Sequence, residues 1–593
     1  MERGFFLFHG GSDLSLALQL ADSGYLVVPL TPAADTSVSA GAPQDLVLAE
    51  STVQRAVGES GVQAEIMARE MLDAVAGEAP GLMRYEGLDL APALFHGIYH
   101  YLAVEVAYAR RIATLLAEQV GNGTKVAVGE DSHLADMVRR LMSELGVEVL
   151  RMGQESKVSS PSLGAVKGGS MRTLIRDAAL LAKSVPKIPA SDRPRVAMVA
   201  TGKTQPVLCA DVLRLLAEDY AIELYGSGLT PLVPEDLTPV RLGRLDEYSV
   251  RTPSSLRVRA RHYRYGLRHL DAIRRSLRLE HWRWTDSLIE SRLPVIIDRA
   301  TYYAHQALTF AERCHPDIAL MMDEKSLLAR LIPQACAADS IPTLDMQHGV
   351  LAPDATVRNL SYTKIAVFGD STRDVLVETG TGPGSIEVTG CPRFDALAAA
   401  SPAPRERVLR ESGLTGEKPV VLAATQPLKN TITTGAKREF VAGLARAAAG
   451  GHVQVLIKKH PYEKDAIVEQ VCAGLDAVSI VEDGSLPDMI AASDAVTTIH
   501  STVALEALIL DRPVVVFRTP GTPVLVPYCS EEAADVAFDS ESLAAALENA
   551  AMSGRGAAKA KRDAFLARHI LLDGGSAERI AGLAMRLMGE GAG

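Results

Sequence analysis

The sequence lacks the features of membrane, secreted and nucleic-acid-binding proteins. No apolar run reaches the 18 residues of a membrane-spanning helix, and the apolar patch near the N-terminus is too short for a signal peptide. The six cysteines are scattered without a C-x-x-C pair, which is typical of a reduced protein without a zinc site. The formal net charge of −11 argues against a nucleic-acid partner. We therefore expect a cytoplasmic globular protein.

Several nucleotide-, metal- and hydrolase-type motifs are also missing. The stretch ATGKT (200–204) resembles a P-loop, but the first glycine of that motif would fall on Ala197. No G-x-G-x-x-G opens a helix, no G-x-S-x-G elbow occurs, and no Asp-x-Asp pair could hold a divalent metal on a sugar diphosphate. We therefore expect neither a metal nor a cofactor.

Apolar strands alternate with amphipathic helices along most of the chain. Such alternation is typical of parallel sheets that are buried on both faces, and the strands after residue 361 suffice for a complete doubly wound sheet. A chain of 593 residues is too long for one core. We predict an N-terminal α/β region over 1–188, either an extra domain or part of the next lobe, followed by Rossmann-like lobes over 189–360 and 361–593.

A helical arm is predicted over about 254–311, within the middle region. It is rich in arginine and has two tryptophans close by. Its arginines include Arg257, Arg259, Arg261, Arg264, Arg268, Arg274, Arg275, Arg278 and Arg283. The arm is either a solvated helix face or a docking surface for an anionic acceptor or lipid head groups.

Polar side chains accumulate where the predicted C-terminal strands end. In open α/β sheets, ligands bind at the carboxyl ends of strands, where helix N-termini point at them. The candidates at these ends are Arg393, Thr425, Gln426, Lys458, Lys459, His460, Pro461, Glu482, Asp483, His500, Ser501 and Thr502. A purely structural domain has no need of such a set, so we predict an anion-binding site at this edge.

The segment TTIHST (497–502) predicts a phosphate site. Ser501 and Thr502 fall at a helix start, where one hydroxyl can cap the backbone and both can assist the helix dipole in holding a phosphate. Glu506 follows Thr502 by four residues, whereas a capping box needs three, so its carboxylate is available for a group such as a ribose hydroxyl. The alternative is a helix cap without a ligand.

The segment IKKHPYE (457–463) provides a second contact. Pro461 favours extended backbone at His460, which holds the imidazole at the strand end. An imidazole there can hydrogen-bond a departing phosphate or protonate it. Lys458 or Lys459 could add positive charge, although strand alternation lets only one of them face the site.

Three residues of the preceding lobe are candidate bases for an acceptor hydroxyl. Asp323 and Glu324 follow one predicted strand, and His348 follows the next. Glu324 could equally begin its helix as a first-turn acid. The choice among the three stays open at this point.

Together, the segments QHG (347–349), IKKHPYE and TTIHSTVALEALILDRPVVVF (497–517) resemble GT-B glycosyltransferases, over roughly residues 317–588. The nearest groups are bacterial surface-polysaccharide transferases, which include polysialyltransferase-like, Kdo-transferase-like and CDP-glycerol glycerophosphotransferase-like families. The resemblance implies two Rossmann-like doubly wound parallel sheets that face a cleft, with the additional N-terminal α/β region and the helical arm. It also implies a nucleotide-donor lobe over 361–593 and an acceptor lobe before it.

The resemblance implies a metal-independent transfer from a nucleotide-sugar donor to a surface glycan, glycolipid or protein acceptor. The arginine-rich arm suggests, as one alternative, an acceptor held at the inner face of the membrane. A CMP-linked acidic sugar such as Kdo or a nonulosonic acid is the first candidate. His460, Ser501 and Thr502 would contact the donor phosphate by resemblance. The other donor-side candidates are Lys459, Pro461, Glu506, Gln426, Thr425, Arg393 and His500.

Two alternatives and one departure from the family pattern remain. The acidic pair before Gly484 resembles a sialyltransferase motif, but it follows the His-Pro instead of preceding it, so no base role is transferred to Asp483. One alternative is a UDP-GlcNAc 2-epimerase-type isomerase with the same architecture. The other is a non-catalytic GT-B-like protein that serves as a sugar-binding module or scaffold.

Overall fold

Two parallel sheets of doubly wound order dominate the fold and confirm the expected α/β class. The computed structural model describes residues 5–8, 26–29, 50–119, 126–128, 133–147, 149–151, 192–245, 253–353, 355–428, 432, 434–518, 527–553 and 559–590. The first of two compact units combines Met1–Ala64, Val104–Lys157 and Leu397–Leu566. The second combines Glu65–Ala103, Val158–Ala396 and Ala567–Gly593.

The strands are short and mostly apolar, as parallel strands covered on both faces should be. They are β1 (Phe5–Phe8), β2 (Leu26–Pro29), β3 (Arg84–Tyr85), β4 (Leu88–Asp89), β5 (Val126–Val128), β6 (Val149–Arg151), β7 (Arg195–Ala200), β8 (Ala221–Gly226), β9 (Arg241–Arg244), β10 (Ile318–Met321), β11 (Thr343–Met346), β12 (Lys364–Val367), β13 (Ile386–Val388), β14 (Val420–Ala424), β15 (Gln454–Lys458), β16 (Val478–Val481), β17 (Ala495–Thr498), β18 (Val514–Phe517) and β19 (Asp535–Ala537).

Helices connect most of these strands. They are α1 (Glu50–Glu78), α2 (Ala91–Ile98), α3 (Val104–Gln119), α4 (His133–Glu144), α5 (Gln205–Leu208), α6 (Ala210–Ala217), α7 (Pro253–Ser276), α8 (Leu279–Trp282), α9 (Asp286–Cys314), α10 (Leu327–Ala338), α11 (Asp370–Glu378), α12 (Pro392–Ala399), α13 (Arg405–Glu411), α14 (Thr434–Ala449), α15 (Ile467–Val471), α16 (Leu486–Ala492), α17 (Val503–Ile509), α18 (Pro527–Ser530), α19 (Ser540–Ser553), α20 (Lys559–His569) and α21 (Ser576–Glu590). Among the described residues, no helix is long and apolar enough to cross a membrane.

The first unit contains a six-stranded parallel sheet in the order β16-β15-β14-β17-β18-β19. The strand order reverses between β14 and β17, and such a switch point is where ligands bind in doubly wound sheets. One face packs on α14 and α19, with Phe440, Leu444, Leu543 and Leu547 in the core. The same unit holds a four-stranded parallel sheet, β2-β1-β5-β6, which confirms the α/β character expected of the N-terminal region.

The second unit contains a seven-stranded parallel sheet in the order β13-β12-β11-β10-β7-β8-β9, with its switch point between β7 and β10. Its core joins Leu320 and Leu344 of the sheet to Leu583 and Leu587 of α21, the last described helix of the chain. A two-stranded antiparallel hairpin, β3-β4, belongs to the same unit.

The strand assignment made from the sequence was wrong for β12 and β13. Both were expected in the C-terminal sheet, but Leu344 of β11 pairs with Lys364 of β12, and Ile365 pairs with Ile386 of β13. An apolar strand does not encode which of two similar sheets receives it. The predicted region boundary at residue 361 therefore precedes two strands of the seven-stranded sheet.

The predicted helical arm corresponds to α7, α8 and α9 of the second unit. Ion pairs join its helices, because Arg259 lies 3.3 Å from Asp298 and Arg274 lies 2.7 Å from Glu290. Five of the arm's arginines are instead exposed along α7, namely Arg257, Arg261, Arg264, Arg268 and Arg275. The spacing of the first four, at three and four residues, places them on one helix face.

Candidate functional site

A glutamine crosses the switch point of the six-stranded sheet. Gln426 follows β14, and its side-chain oxygen accepts a 2.9 Å hydrogen bond from the His500 backbone N–H beyond β17. Its amide nitrogen donates to the His500 carbonyl, also at 2.9 Å. Gln426 is only 8% exposed. The two bonds fix the backbone of the loop that carries His500, Ser501 and Thr502.

The two hydroxyls at the start of α17 have different roles. The Ser501 hydroxyl accepts a 3.3 Å hydrogen bond from the Val503 N–H, and Tyr528 donates a 3.0 Å hydrogen bond to the Ser501 carbonyl. Thr502 is the residue before the helix, with φ −59° and ψ −15°, and its side chain makes no capping bond. The Ser501 hydroxyl thus caps the helix start, as expected for one of the two hydroxyls, and the Thr502 hydroxyl does not take part in the cap.

His460 lies in the loop after β15, the strand next to β14. The backbone N–H of Tyr462 donates to Nδ1 of His460 at 3.1 Å. Nδ1 is therefore an acceptor, so the neutral ring carries its proton on Nε2. Neighbouring strands are about 4.8 Å apart, so the ends of β15 and β17 lie about 10 Å from each other.

Glu463 fixes this loop through buried contacts with Thr425 and Lys437. The sequence analysis gave this residue no role. The Thr425 hydroxyl donates a 2.6 Å hydrogen bond to its carboxylate, and Lys437 lies 2.8 Å from both Glu463 and Asp465. The side chains of Lys437 and Glu463 are almost fully buried. The signal was present in the sequence, because Glu463 closes the HPYE segment whose histidine and proline were singled out.

The two lysines before His460 are paired with groups on α15 and just after β16. Lys459 forms an ion pair with Glu469 and lies 3.5 Å from Glu482. The hydrogen bond to Glu469 and the charges around it raise the pKa of Lys459. Lys458 donates to the Glu482 carbonyl oxygen. Both ammonium groups therefore have partners, and the contact of Lys459 with a donor stays a prediction.

Glu506 lies on the first turn of α17, and its backbone N–H donates to the Thr502 carbonyl at 3.2 Å. It is 8% exposed, so its carboxylate lies largely inside the unit. Its contact with a ribose hydroxyl stays a prediction, as do donor contacts of Pro461 and His500.

The three candidate bases lie together in the second unit, beyond β10 and β11. Asp323 accepts hydrogen bonds from the backbone N–H groups of Lys325 and Ser326, at 3.0 and 2.9 Å. The Asp345 carboxylate in turn accepts the Asp323 N–H at 2.9 Å. One oxygen of Asp323 is thus committed to the turn that leads into α10.

Glu324 and His348 are joined by a hydrogen bond. The His348 backbone N–H donates to the Glu324 carboxylate at 2.7 Å. Burial, reinforced by the charge of Asp323, raises the pKa of Glu324 to about 7 despite this bond. Partial desolvation, with the positive charges of Arg393 and Lys325, lowers the pKa of the His348 imidazole. His348 is exposed, so a neutral imidazole is presented at this strand end.

Arg393 belongs to this second group. It lies at the start of α12 in the second unit, with its guanidinium 4.8 Å from the centre of the Phe394 ring. It was predicted to bind the donor with His460, but the residues that it contacts electrostatically include His348. Its role in donor binding stays a prediction.

Comparison with known proteins identifies the C-terminal segment. Residues 382–585 match the family model CDP-Glycerol:Poly(glycerophosphate) glycerophosphotransferase. The resemblance to CDP-glycerol glycerophosphotransferases, a transferase family, is therefore confirmed for this segment. The segment includes His460 and residues 500–502. No curated protein sequence matches the chain.

Several solved structures are similar to the chain at low identity. A putative UDP-N-acetylglucosamine 2-epimerase from Listeria monocytogenes is 13% identical, with a TM-score of 0.45, over 67% of this chain and 97% of its own. The wall teichoic acid polymerase TagF is 12% identical, with a TM-score of 0.43, over 74% of this chain and 100% of its own. UDP-GlcNAc 2-epimerase from Methanocaldococcus jannaschii is 11% identical, with a TM-score of 0.43, over 66% of this chain and 99% of its own.

Proposed function

We propose that this chain is a metal-independent transferase that releases cytidine monophosphate from an activated donor as it moves the rest of the donor to an acceptor hydroxyl. The family match favours a CDP-linked alcohol such as CDP-glycerol. The sequence resemblance favours a CMP-linked acidic sugar. With a CDP-linked alcohol, the acceptor oxygen attacks the distal phosphorus. With a CMP-linked sugar, it attacks the anomeric carbon. In both cases one bond forms to the acceptor oxygen, and the bond to the departing cytidine monophosphate breaks.

The observation that carries the proposal is the clamp of Gln426 on His500 at the switch point. It holds a loop with the Thr502 hydroxyl beside the strand ends, at the position where doubly wound sheets bind nucleotides. His460 follows the adjacent strand and presents an Nε2–H donor. A donor fixed in advance toward a phosphate that gains charge stabilises the transition state more than the ground state.

His460 has a defined task in this mechanism. Its Nε2–H donates to a phosphate oxygen of the departing nucleotide, and the Thr502 hydroxyl donates to another. The buried triad of Lys437, Glu463 and Asp465 holds the histidine loop in place without touching the substrate.

On the acceptor side, we assign the base role to His348. Its imidazole is exposed and its lowered pKa keeps it neutral near pH 7, so it can accept the proton of the acceptor hydroxyl. Glu324 positions the loop through the His348 N–H. Asp323 is less suited, since one of its oxygens already accepts two backbone hydrogen bonds.

Nucleotide binding by the intact chain tests the proposal. Melting temperatures are measured with CMP, CDP-glycerol, a CMP-linked acidic sugar, UDP and GDP. A ligand at 100 times its Kd adds about 2.7 kcal/mol to the free energy of unfolding. We expect stabilisation by the cytidine nucleotides and its loss in His460→Ala. The control His452→Ala changes another histidine of the same unit, an exposed one. Equal shifts with all nucleotides, or none, would refute a cytidine-specific site.

We also propose that the exposed arginines of α7 hold the protein against anionic head groups where a lipid-linked acceptor resides. Arg261, Arg264 and Arg268 share one exposed helix face, which is the arrangement of helices that bind membrane surfaces electrostatically.

A further inference from the structure

The second unit contains a cavity of about 440 Å³ that the transfer mechanism does not use. Its walls come from the end of α1, the start of α2, one face of α10 and the segment that precedes β12. This volume falls in the range of small-molecule sites, about 300–1,000 Å³. The cavity therefore has room for an organic ligand of moderate size.

The polar part of the wall is cationic. Arg69, Arg330 and Arg358 all line the cavity, against the single carboxylate of Asp89. Glu65, which pairs with Arg69 at 2.7 Å and Arg358 at 3.1 Å, offsets part of this charge. An excess of one positive charge remains when both carboxylates are counted against the three guanidinium groups.

Arg330 is the buried member of this set. It is 4% exposed, and its guanidinium donates to the carbonyl oxygens of Arg358 at 2.6 Å and Glu324 at 3.4 Å. These bonds fix the direction of its planar fork before any ligand arrives. A rigid guanidinium is well suited to phosphate oxygens, because little side-chain freedom is lost on binding.

Two buried nitrogen atoms of the lining residues lack a hydrogen-bond partner within the described part of the chain: Nδ1 of His96 and Nε of Arg358. A buried polar group without a partner is destabilising. Burial, with the positive charges of His100, Arg330 and Arg299, lowers the pKa of His96 to about 3, so its ring is neutral. The neutral ring therefore adds no charge to the cationic wall.

The opposite part of the wall is apolar. Leu72, Pro92 and Phe95 line it, and the Arg69 guanidinium lies 5.5 Å from the centre of the Phe95 ring. A ligand that fits both parts has an anionic head and an apolar body. Three guanidinium groups match the three terminal oxygens of a phosphate monoester better than the two of a carboxylate.

We propose that this cavity is a binding site for a phosphate monoester with an apolar or aromatic body. The phosphate contacts Arg69, Arg330 and Arg358, and the body packs on Phe95. The proposal does not depend on the transfer reaction, since none of the residues that it uses was assigned to donor binding or to the base role.

Calorimetric titration of the full chain with phenyl phosphate tests this assignment. We expect one saturable site per chain, weaker binding of inorganic phosphate and of benzoate, and no binding of phenol. Benzoate that binds as tightly as phenyl phosphate would overturn the choice of phosphate. The absence of saturable binding of phenyl phosphate would overturn the site itself.

Two variants and one control locate the bound probe. Arg69→Gln should weaken phenyl phosphate binding about tenfold or more, since hydrogen bonds to charged groups contribute about 1.5–3 kcal/mol. Phe95→Leu should weaken phenyl phosphate but not inorganic phosphate. Arg373→Gln, in which the arginine of another exposed ion pair is removed, should bind as the parent does. Unchanged binding in both Arg69→Gln and Phe95→Leu, or loss of binding in Arg373→Gln, contradicts the assignment.

His460→Asn separates this site from the proposed nucleotide site. Phenyl phosphate should bind this variant as tightly as it binds the parent chain, whether or not the nucleotide proposal is right. Loss of binding in His460→Asn would mean that the probe occupies the first unit, which would overturn the cavity assignment.

Discussion

The Thr425 hydroxyl donates a 2.6 Å hydrogen bond to the carboxylate of Glu463, and this bond ties the end of β14 to the loop that carries His460. Glu463 in turn neutralises Lys437, which is buried beside it. The geometry of the His460 loop therefore depends on the Lys437–Glu463 ion pair, which is buried from solvent. An intact buried ion pair adds little to the free energy of unfolding. Removing only one of its two partners is costly, because the other charge is left buried without compensation.

Glu463→Ala should accordingly lower the free energy of unfolding by about 3–5 kcal/mol, because it leaves Lys437 buried with only Asp465 as a counter-ion. Urea unfolding measures this change. Glu417→Ala, which removes an exposed glutamate from the same unit, should cost less than about 0.5 kcal/mol. Equal effects of the two substitutions would contradict a structural role of the triad.

Gln426→Ala should weaken nucleotide binding about tenfold or more, because both hydrogen bonds to the His500 backbone disappear. Isothermal titration with CMP gives the affinity. The matched control is Gln470→Ala, an exposed glutamine on α15. If CMP binds the Gln426 variant as well as it binds the parent, the loop after β17 is not part of the site.

Glu324→Gln should change the pH dependence of stability. The pKa of Glu324 rises from 4.5 in the unfolded chain to about 7 in the folded one. Between these values the folded state keeps a proton that the unfolded state has lost, so the free energy of unfolding falls as pH rises. This one carboxyl accounts for a fall of about 3 kcal/mol.

The glutamine variant has no such proton to lose. Relative to the parent, it should therefore gain about 3 kcal/mol between pH 4.5 and pH 8. Denaturant unfolding at the two pH values measures the gain. A difference that does not vary with pH would show that Glu324 titrates at its ordinary pKa.

The triple variant Arg261→Gln, Arg264→Gln, Arg268→Gln should bind anionic vesicles about a hundredfold less tightly, at about 1 kcal/mol for each arginine near the surface. Sedimentation with phosphatidylserine vesicles measures the binding, which should also weaken as salt shortens the screening length. A control changes three exposed arginines of the first unit, Arg407, Arg410 and Arg446. Salt-independent binding, or equal loss in the control, would exclude the α7 face as the contact.

The class of the fold could be predicted because burial on both faces leaves a direct trace in the sequence. The run VVLAA of β14 is buried at every position, and it reads as an uninterrupted apolar strand. Which sheet receives a strand leaves no such trace. β12 and β13 are short parallel strands like β14, and only the structure shows that β12 pairs with β11 and that β13 pairs with β12.

The candidate site was predicted as a set of residues but not as a set of contacts. The pattern of polar strand ends identified Gln426 and His500, which the structure joins directly. It gave no role to Glu463, since a charged residue in a loop is normally exposed. It proposed Lys459 as a donor contact and did not indicate that this lysine also pairs with Glu469. Side-chain partners distant in the sequence decide such outcomes.

The packing of α21 on the seven-stranded sheet has a consequence for shortened forms of the protein. Leu583 and Leu587, close to the end of the chain, share a core with Val196 and Leu320. Deleting α21 would therefore uncover strands that were made hundreds of positions earlier, whereas the core of the six-stranded sheet contains no residue of this helix. During synthesis, the core of that sheet is therefore incomplete until α21 has been made.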